Sequence, residues 1–211
     1  MKKIAFILSL MIVMPAMADD WNDDYAYADT SVKTTARDNY VGIRLHKNEH
    51  IAYKYDLKHG QDITTKDDNF GFGVMVGNRL TDHVKIEFET SYTGTSFKKY
   101  NVNYDYDIWA NMLNVYLFNE FGNAVAPYAG VGMGLTGIWA HANHTSDSEC
   151  AVSYQAMIGV NFALNDRIDL NLGVKYQNYG TVEHKNSNGN FATTKIDATE
   201  FYLGAAYKFG L

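Results

Sequence analysis

The sequence predicts an all-β protein, an eight-stranded antiparallel up-and-down β-barrel. Three observations predict it. Period-2 alternation of apolar and polar residues recurs in eight stretches after Tyr40. The connections between those stretches are alternately short and long. The composition sets 17 glycines and 16 tyrosines against two prolines in 211 residues, a balance that favours strands over helices.

The elements before the first stretch come from the leader. Met1-Lys2-Lys3 is a short basic start, residues 4–13 are apolar, and Met14-Pro15-Ala16-Met17-Ala18 places small residues at the −3 and −1 positions. This is the pattern of a secretory signal peptide, residues 1–18, cleaved after Ala18. No cysteine follows the cleavage point, so a lipoprotein is not expected. Without Lys2 and Lys3 the mature chain carries 16 basic and 24 acidic residues, a net −8. Residues 19–39 hold six Asp against Lys33 and Arg37 and read as a flexible acidic periplasmic lead-in. The barrel is expected over residues 40–211.

The eight stretches follow in order. Val41, Ile43 and Leu45 alternate with Gly42, Arg44 and His46. Phe70, Phe72, Val74 and Val76 alternate with Gly71, Gly73, Met75 and Gly77. Val84, Ile86, Phe88 and Tyr92 alternate with Lys85, Glu87, Glu89 and Ser91. Trp109, Leu113, Val115 and Leu117 share one side of the fourth stretch, with Asn111 on the same parity. Ala129, Val131, Met133 and Leu135 alternate with Tyr128, Gly130, Gly132 and Gly134. Val152, Tyr154, Ala156, Ile158, Val160 and Phe162 alternate with Ser153, Gln155, Met157, Gly159 and Asn161. Ile168, Leu170, Leu172, Val174 and Tyr176 alternate with Asp169, Asn171, Gly173 and Lys175. Phe201, Leu203, Ala205, Tyr207 and Phe209 alternate with Glu200, Tyr202, Gly204, Ala206 and Lys208.

Residues 77–83, 119–126 and 163–166 are the short connections; residues 46–69, 93–107, 137–150 and 177–199 are the long ones. Tight turns on one side and four extended surface loops on the other are the layout of a transmembrane barrel of the outer-membrane kind. Tilted strands of about 9–11 residues cross the hydrocarbon, and most of the stretches are about 8–11 residues long. The first is shorter and is expected to run on into its loop.

Alternation alone does not say which face is outside, because a soluble lipocalin-type barrel alternates with its apolar face inward. Two counts decide. Glycines 42, 71, 73, 77, 130, 132, 134, 159, 173 and 204 all lie on the polar face, and no charge lies on the apolar face. Glycine weakens a strand, but in a narrow barrel interior it makes room for bulky side chains from neighbouring strands. A Lys or Arg on a lipid-facing midplane costs about 2–4 kcal/mol. The polar face is therefore the interior. It carries Arg44, Lys85, Lys175 and Lys208 against Glu87, Glu89, Asp169 and Glu200, four of each sign. Buried charge must be paired, so these eight residues are expected to form an interior ion network filling the lumen.

Other classes are excluded or disfavoured. The only long apolar run is at the N-terminus, which excludes a helical membrane protein. A single cysteine excludes a disulfide scaffold. A formal net charge of −6 argues against nucleic acid as a partner. The mean hydropathy of −0.28 suggests a soluble chain only because it averages two opposite faces.

The segment Pro127-Tyr128-Ala129-Gly130-Val131-Gly132-Met133-Gly134, the strand Leu170-Asn171-Leu172-Gly173-Val174-Lys175-Tyr176 and the last strand resemble the small eight-stranded outer-membrane barrel superfamily. That group includes the OmpA-type transmembrane domain and porin-family surface antigens. The resemblance covers residues 40–211. It implies an outer-membrane location and contact with outer-membrane lipid and lipopolysaccharide. It also implies insertion by the barrel-assembly machinery, which in such families reads alternate apolar residues before a terminal aromatic. Here Phe201, Leu203, Tyr207, Phe209 and Leu211 keep the parity, with leucine in place of the terminal aromatic. With the barrel running to residue 211, the peptidoglycan-binding domain of full-length OmpA-type proteins is not expected.

The remaining signals are in the connections. His141, His144, Asp147, Glu149 and Cys150 share one loop, and His-x-x-His makes His141 and His144 weak metal candidates, although ordinary polar loop composition explains them equally well. His144, Ser146 and Glu149 nominally supply the groups of a lipid A deacylase or acyltransferase, but a working site belongs on rigid strand ends, so no enzyme is expected. His46, His50, His59, Tyr53 and Tyr55 lie in the first loop, and Lys98, Lys99 and Tyr100 in the second, within reach of lipopolysaccharide phosphates. Trp109, Trp139, Tyr92, Tyr176 and Tyr207 are expected in the aromatic girdles. No cofactor is indicated. The expected role is a monomeric anchor whose loops contact cells, host molecules or lipopolysaccharide. The alternatives are a small channel for ions or small solutes, and a lipid A-modifying enzyme.

Overall fold

A computed structural model describes residues 38–57, 63–99, 102–121, 124–142, 145–185 and 191–210. The expected signal peptide, residues 19–37 of the lead-in, His59, Tyr100, His144 and Leu211 lie outside the described residues.

Eight strands follow one another: β1 (Asp38–Leu57), β2 (Ile63–Arg79), β3 (Val84–Lys99), β4 (Val102–Phe118), β5 (Val125–Ala142), β6 (Thr145–Ala163), β7 (Ile168–Lys185) and β8 (Phe191–Gly210). Each pairs antiparallel with its sequence neighbour, and β1 pairs with β8 to close the barrel. The first strand takes in Asp38 and Asn39, which the sequence pattern assigns to the lead-in. Their backbones continue the ladder opposite Gly210 and Phe209.

The apolar parity faces out. On β1, Val41, Ile43 and Leu45 are 44%, 60% and 60% exposed, while Gly42, Arg44 and His46 between them are buried. The same alternation runs through Leu113, Val115 and Leu117 on β4, Val131, Met133 and Leu135 on β5, and Leu203 and Tyr207 on β8. A soluble barrel needs the opposite arrangement; a belt of exposed Val, Ile, Leu and Phe has hydrocarbon as its solvent.

The inward glycines make room for large residues directly across the ladder. Tyr40 faces Gly77, Tyr116 faces Gly130, Tyr128 faces Gly159 and Tyr202 faces Gly173. A Cβ at Gly130 would stand 2.5 Å from Tyr116 Cδ1, and one at Gly173 the same distance from Tyr202 Cζ. Arg44 has Gly73 on one flank and Gly204 on the other. Each of these five large inward side chains thus lies across a neighbour that has none, which is how an eight-stranded lumen reaches a packed interior.

The strands are 16–20 residues long, well beyond what the hydrocarbon requires. The excess lies on the side of the long connections, whose residues are largely strand. His50, Tyr53 and Tyr55 belong to β1, Lys98 and Lys99 to β3, His141 to β5, and Ser146, Asp147, Glu149 and Cys150 to β6. The physical reason is that a hairpin leaving the membrane satisfies its backbone by continuing the ladder. Two bulges interrupt the register, one in β1 between Asn48 and His50 and one in β7 between Asn178 and Gly180. Gly180 has φ 106°, a left-handed conformation that suits glycine. The extra residue of that bulge, Tyr179, is 2% exposed.

Candidate functional site: the filled lumen

The lumen is built in three levels from the end with the short turns to the end with the extended hairpins. At the turn end a cavity of about 240 Å³ is lined by Tyr40, Arg79, Lys85, Phe118, Asp169 and Lys208, among others. Lys208 Nζ pairs with Asp169 Oδ1 at 3.0 Å. Arg79 Nη1 pairs with Glu120 Oε1 at 2.7 Å and its guanidinium lies 4.9 Å from the Phe118 ring centre. The Lys85 ammonium sits 4.6, 4.9 and 5.6 Å from the ring centres of Tyr116, Tyr128 and Tyr40, a cage in which ring quadrupoles hold the cation.

The middle level is the charge cluster. Arg44 on β1 donates from Nη1 to Glu89 Oε2 at 2.5 Å and to Glu87 Oε1 at 3.2 Å, and from Nε to Asn171 Oδ1 at 3.4 Å. Its guanidinium carbon is 4.8 Å from the Tyr202 ring centre. Glu87 also accepts from Tyr116 at 2.6 Å and Tyr40 at 3.0 Å. Lys175 Nζ bridges Glu200 at 3.1 Å and Glu89 at 3.6 Å. His46 stands between the same two carboxylates, with each ring nitrogen 3.2 Å from one of them, though neither contact is aligned as a hydrogen bond. Tyr179 donates to Glu200 Oε1. Three carboxylates therefore share two permanent cations, the imidazole and three phenols. Arg44, His46, Glu87, Glu89, Lys175 and Glu200 are all at most 2% exposed.

The third level is apolar. Tyr106, Ile108, Met112, Ile138, Tyr179 and Ile196 form a cluster in which no member exceeds 3% exposure. These residues share the inward parity of the charged set; Met112 lies across the ladder from Glu89, and Tyr106, Ile108, Ile138 and Ile196 carry the interior on toward the extended hairpins, where the barrel leaves the hydrocarbon. There the outside is water, so the inside takes the apolar side chains.

Of the eight interior residues singled out in the sequence, Arg44, Glu87, Glu89, Lys175 and Glu200 meet in one cluster. Asp169 and Lys208 pair with each other at the turn end, and Lys85 sits among tyrosines. His46, assigned by the sequence pattern to the first loop, lies on β1 inside the cluster; its shared parity with Arg44 is the signal that places it. Tyr179 falls in the long connection of residues 177–199 in the sequence reading, but it keeps the odd parity of Asp169 and Lys175, and that parity is the signal that places it inside. On the outer surface Tyr92 packs against Phe72 at 5.8 Å and Trp109 at 5.5 Å between ring centres and donates to Asp107 at 2.5 Å. The Trp139 ring lies over Gly137. Tyr176 is exposed on the outer wall of β7, and Tyr207, at the turn end, accepts from Arg167 at 3.3 Å. Phe201, Leu203, Tyr207 and Phe209 point outward from β8. Beyond the girdle, Asp197, 3.4 Å from Lys195, raises the pKa of that ammonium. The side chain of His141, like all of His144, lies outside the described residues.

The chain matches the family model described as the outer membrane protein beta-barrel domain over residues 4–209. No curated protein sequence matches it. Among solved structures it is similar to Neisserial surface protein A (TM-score 0.60, 16% identity, 81% of this chain and 97% of that one). It is similar to the outer membrane protein OprG from Pseudomonas aeruginosa (0.62, 15%, 83% and 97%). It is also similar to Ail, the attachment invasion locus protein of Yersinia pestis, solved with the heparin analogue sucrose octasulfate (0.51, 13%, 82% and 99%).

Proposed function

Because the chain belongs to the outer membrane protein β-barrel domain family and is an outer-membrane protein, we propose that it is a closed membrane anchor that presents its extended hairpins to other cells, host molecules or lipopolysaccharide. The observation that carries this reading is the lumen. A charge cluster and an apolar layer follow one another along its axis, and every named member of both is at most 3% exposed. A conduit needs a continuous polar path, and the Ile108, Ile138 and Ile196 layer offers none. With the lumen filled, the parts free to vary without disturbing the anchor are the surface ends of the hairpins. The chain works as a monomer, inserted by the barrel-assembly machinery and held by lipid along its apolar belt. It uses no catalytic group and no cofactor.

Three measurements test this. In planar bilayers the purified protein is expected to give no reproducible conductance steps, whereas sustained steps would establish the channel alternative. Cells expressing the protein are expected to adhere to a partner surface more than cells expressing a version with residues 58–62, 100–101, 143–144 and 186–190 replaced by Gly-Ser. Equal adherence would sink the surface role. Mass spectrometry of lipid A is expected to show the same acyl pattern with and without expression, and a changed pattern would favour the enzyme.

A further inference from the structure

One cation of the lumen is held differently from the rest. Arg44, Lys175, Lys208 and Arg79 each lie against a carboxylate, at 2.5, 3.1, 3.0 and 2.7 Å. Lys85 has no such partner among the described residues. Its ammonium rests on the rings of Tyr116, Tyr128 and Tyr40, whose hydroxyls are turned to other groups. Tyr40 and Tyr116 donate to Glu87, and Tyr128 is bonded to Tyr202. Ring faces attract a cation but supply no oxygen to its N–H groups. The three donors of the ammonium therefore have no protein acceptor among the described residues.

Lys85 lines the turn-end chamber of about 240 Å³. Glu87 of the charge cluster lines the same chamber and is 1% exposed, so the cluster closes it toward the hairpins. The walls are mixed. Met75, Phe118, Val125 and Ala206 supply apolar surface, while Asn161 and Asn171, paired across the β6–β7 ladder, bring two amides to the same space. The volume holds about eight waters at ~30 Å³ each. That is just below the ~300 Å³ of the smallest common ligand pockets, which limits a guest to one compact molecule.

We propose that the turn-end chamber binds a small organic anion, a carboxylate on a compact apolar body, which gives Lys85 the acceptor it lacks. A hydrogen bond between an ammonium and a carboxylate is short and strong, and here the three rings have already taken the place of part of the water around the cation. The apolar walls favour a guest with an apolar body over a bare ion. Glu87, Glu120 and Asp169 line the chamber too. Three carboxylates repel a second negative charge on a guest, which favours a carboxylate over a phosphate dianion. A guest admitted from the turn side stops at the charge cluster, so the chamber retains it and does not pass it through the barrel. The site lies at the opposite end from the surface hairpins and does not depend on what they contact.

The test uses the whole protein in lipid nanodiscs, isotope-labelled at its methionine methyls and titrated with benzoate, a carboxylate on a single ring. Met75 lines the chamber, Met112 lies in the apolar level and Met133 faces lipid. Benzoate is expected to shift the Met75 resonance and to leave those of Met112 and Met133 in place. Benzamide, which has the same shape without the charge, and inorganic phosphate are each expected to bind at least about tenfold more weakly. Lys85→Met keeps the reach of the side chain and removes its charge. Heat-modifiable migration checks that it folds, and it is expected to weaken benzoate about tenfold. Ala163→Leu leaves Lys85 in place and fills part of the chamber, so it tests the site even if the first variant does not fold, and a loss of similar size is expected. No Met75 shift up to millimolar benzoate, a shift at Met133 alone, which marks partition into lipid, or unchanged binding in Ala163→Leu or in folded Lys85→Met would overturn the proposal. So would benzamide or phosphate binding as tightly as benzoate, since the chamber would then read shape alone or charge alone.

Discussion

Arg44→Met removes the cation at the centre of the lumen while keeping an unbranched side chain of similar reach. Arg44 contacts Glu89 at 2.5 Å, Glu87 at 3.2 Å and Asn171 at 3.4 Å. Glu87 keeps its two tyrosine donors and Asn114, and among the described residues Glu89 keeps Lys175 at 3.6 Å and His46 at 3.2 Å. Three carboxylates at no more than 1% exposure are then left with one permanent cation. Removing one partner of a buried pair costs about 3–5 kcal/mol, because the remaining charge has lost both water and counterion. That is a loss of roughly a hundredfold to several thousandfold in the folding equilibrium. The assay is equilibrium urea unfolding in lipid vesicles followed by tryptophan fluorescence. Arg44→Met combined with Glu89→Gln is expected to cost about 0.5–3 kcal/mol less than the sum of the single changes, because the second removes the charge the first has stranded. A loss under about 1 kcal/mol for Arg44→Met, the range of an exposed pair, would refute the reading of the cluster as a desolvated unit.

Three further outcomes are expected. Gly159→Val drives a side chain into the Tyr128 ring and the Leu172 carbonyl, and unfolding midpoints are expected to report a cost of about 1–3 kcal/mol. Leu172→Lys, on the lipid face, is expected to cost about 2–4 kcal/mol, and Tyr176→Lys, nearer the interface, about 0–1 kcal/mol; equal costs in the same assay would contradict the placement of the belt. Gly180→Ala forces a side chain into a φ of 106° and onto Ala151, and a cost of about 1–3 kcal/mol is expected, with fluorescence or circular dichroism melts showing a lowered midpoint.

The alternation in the sequence was enough to give strand number, order and the inward face, because membrane contact imposes one simple rule on every second residue. Arg44, Glu87, Glu89, Lys175 and Glu200 were legible as interior for the same reason. The rule fails where the barrel leaves the lipid. Ile108, Ile138 and Ile196 keep the inward parity but not its polarity, because the solvent outside has changed from hydrocarbon to water. Tyr179 keeps the inward parity of Asp169 and Lys175, but it lies past the last clean alternation of β7, in the stretch 177–199 that the sequence pattern assigns to a loop. Which cation meets which carboxylate depends on the stagger between strands, and a single chain of letters does not record it. Lys85 shows the point: counted among the ions, it is held by three rings contributed by β1, β4 and β5.

The pairing of β1 with β8 also bears on how the molecule is made. Its partners run from Asp38↔Gly210 to Leu57↔Ala192, the most distant residues in the described chain. Every other ladder joins strands adjacent in sequence and can zip from its own turn, but this one must wait for the last strand. Until β8 arrives, β1 is an open edge bearing Val41, Ile43 and Leu45, a template for pairing with the wrong chain. The closing ladder therefore sets the interval during which the unfinished barrel carries an open edge, and changes that weaken Val41↔Tyr207 or Ile43↔Ala205 would lengthen that exposure before they visibly lowered the stability of the finished barrel.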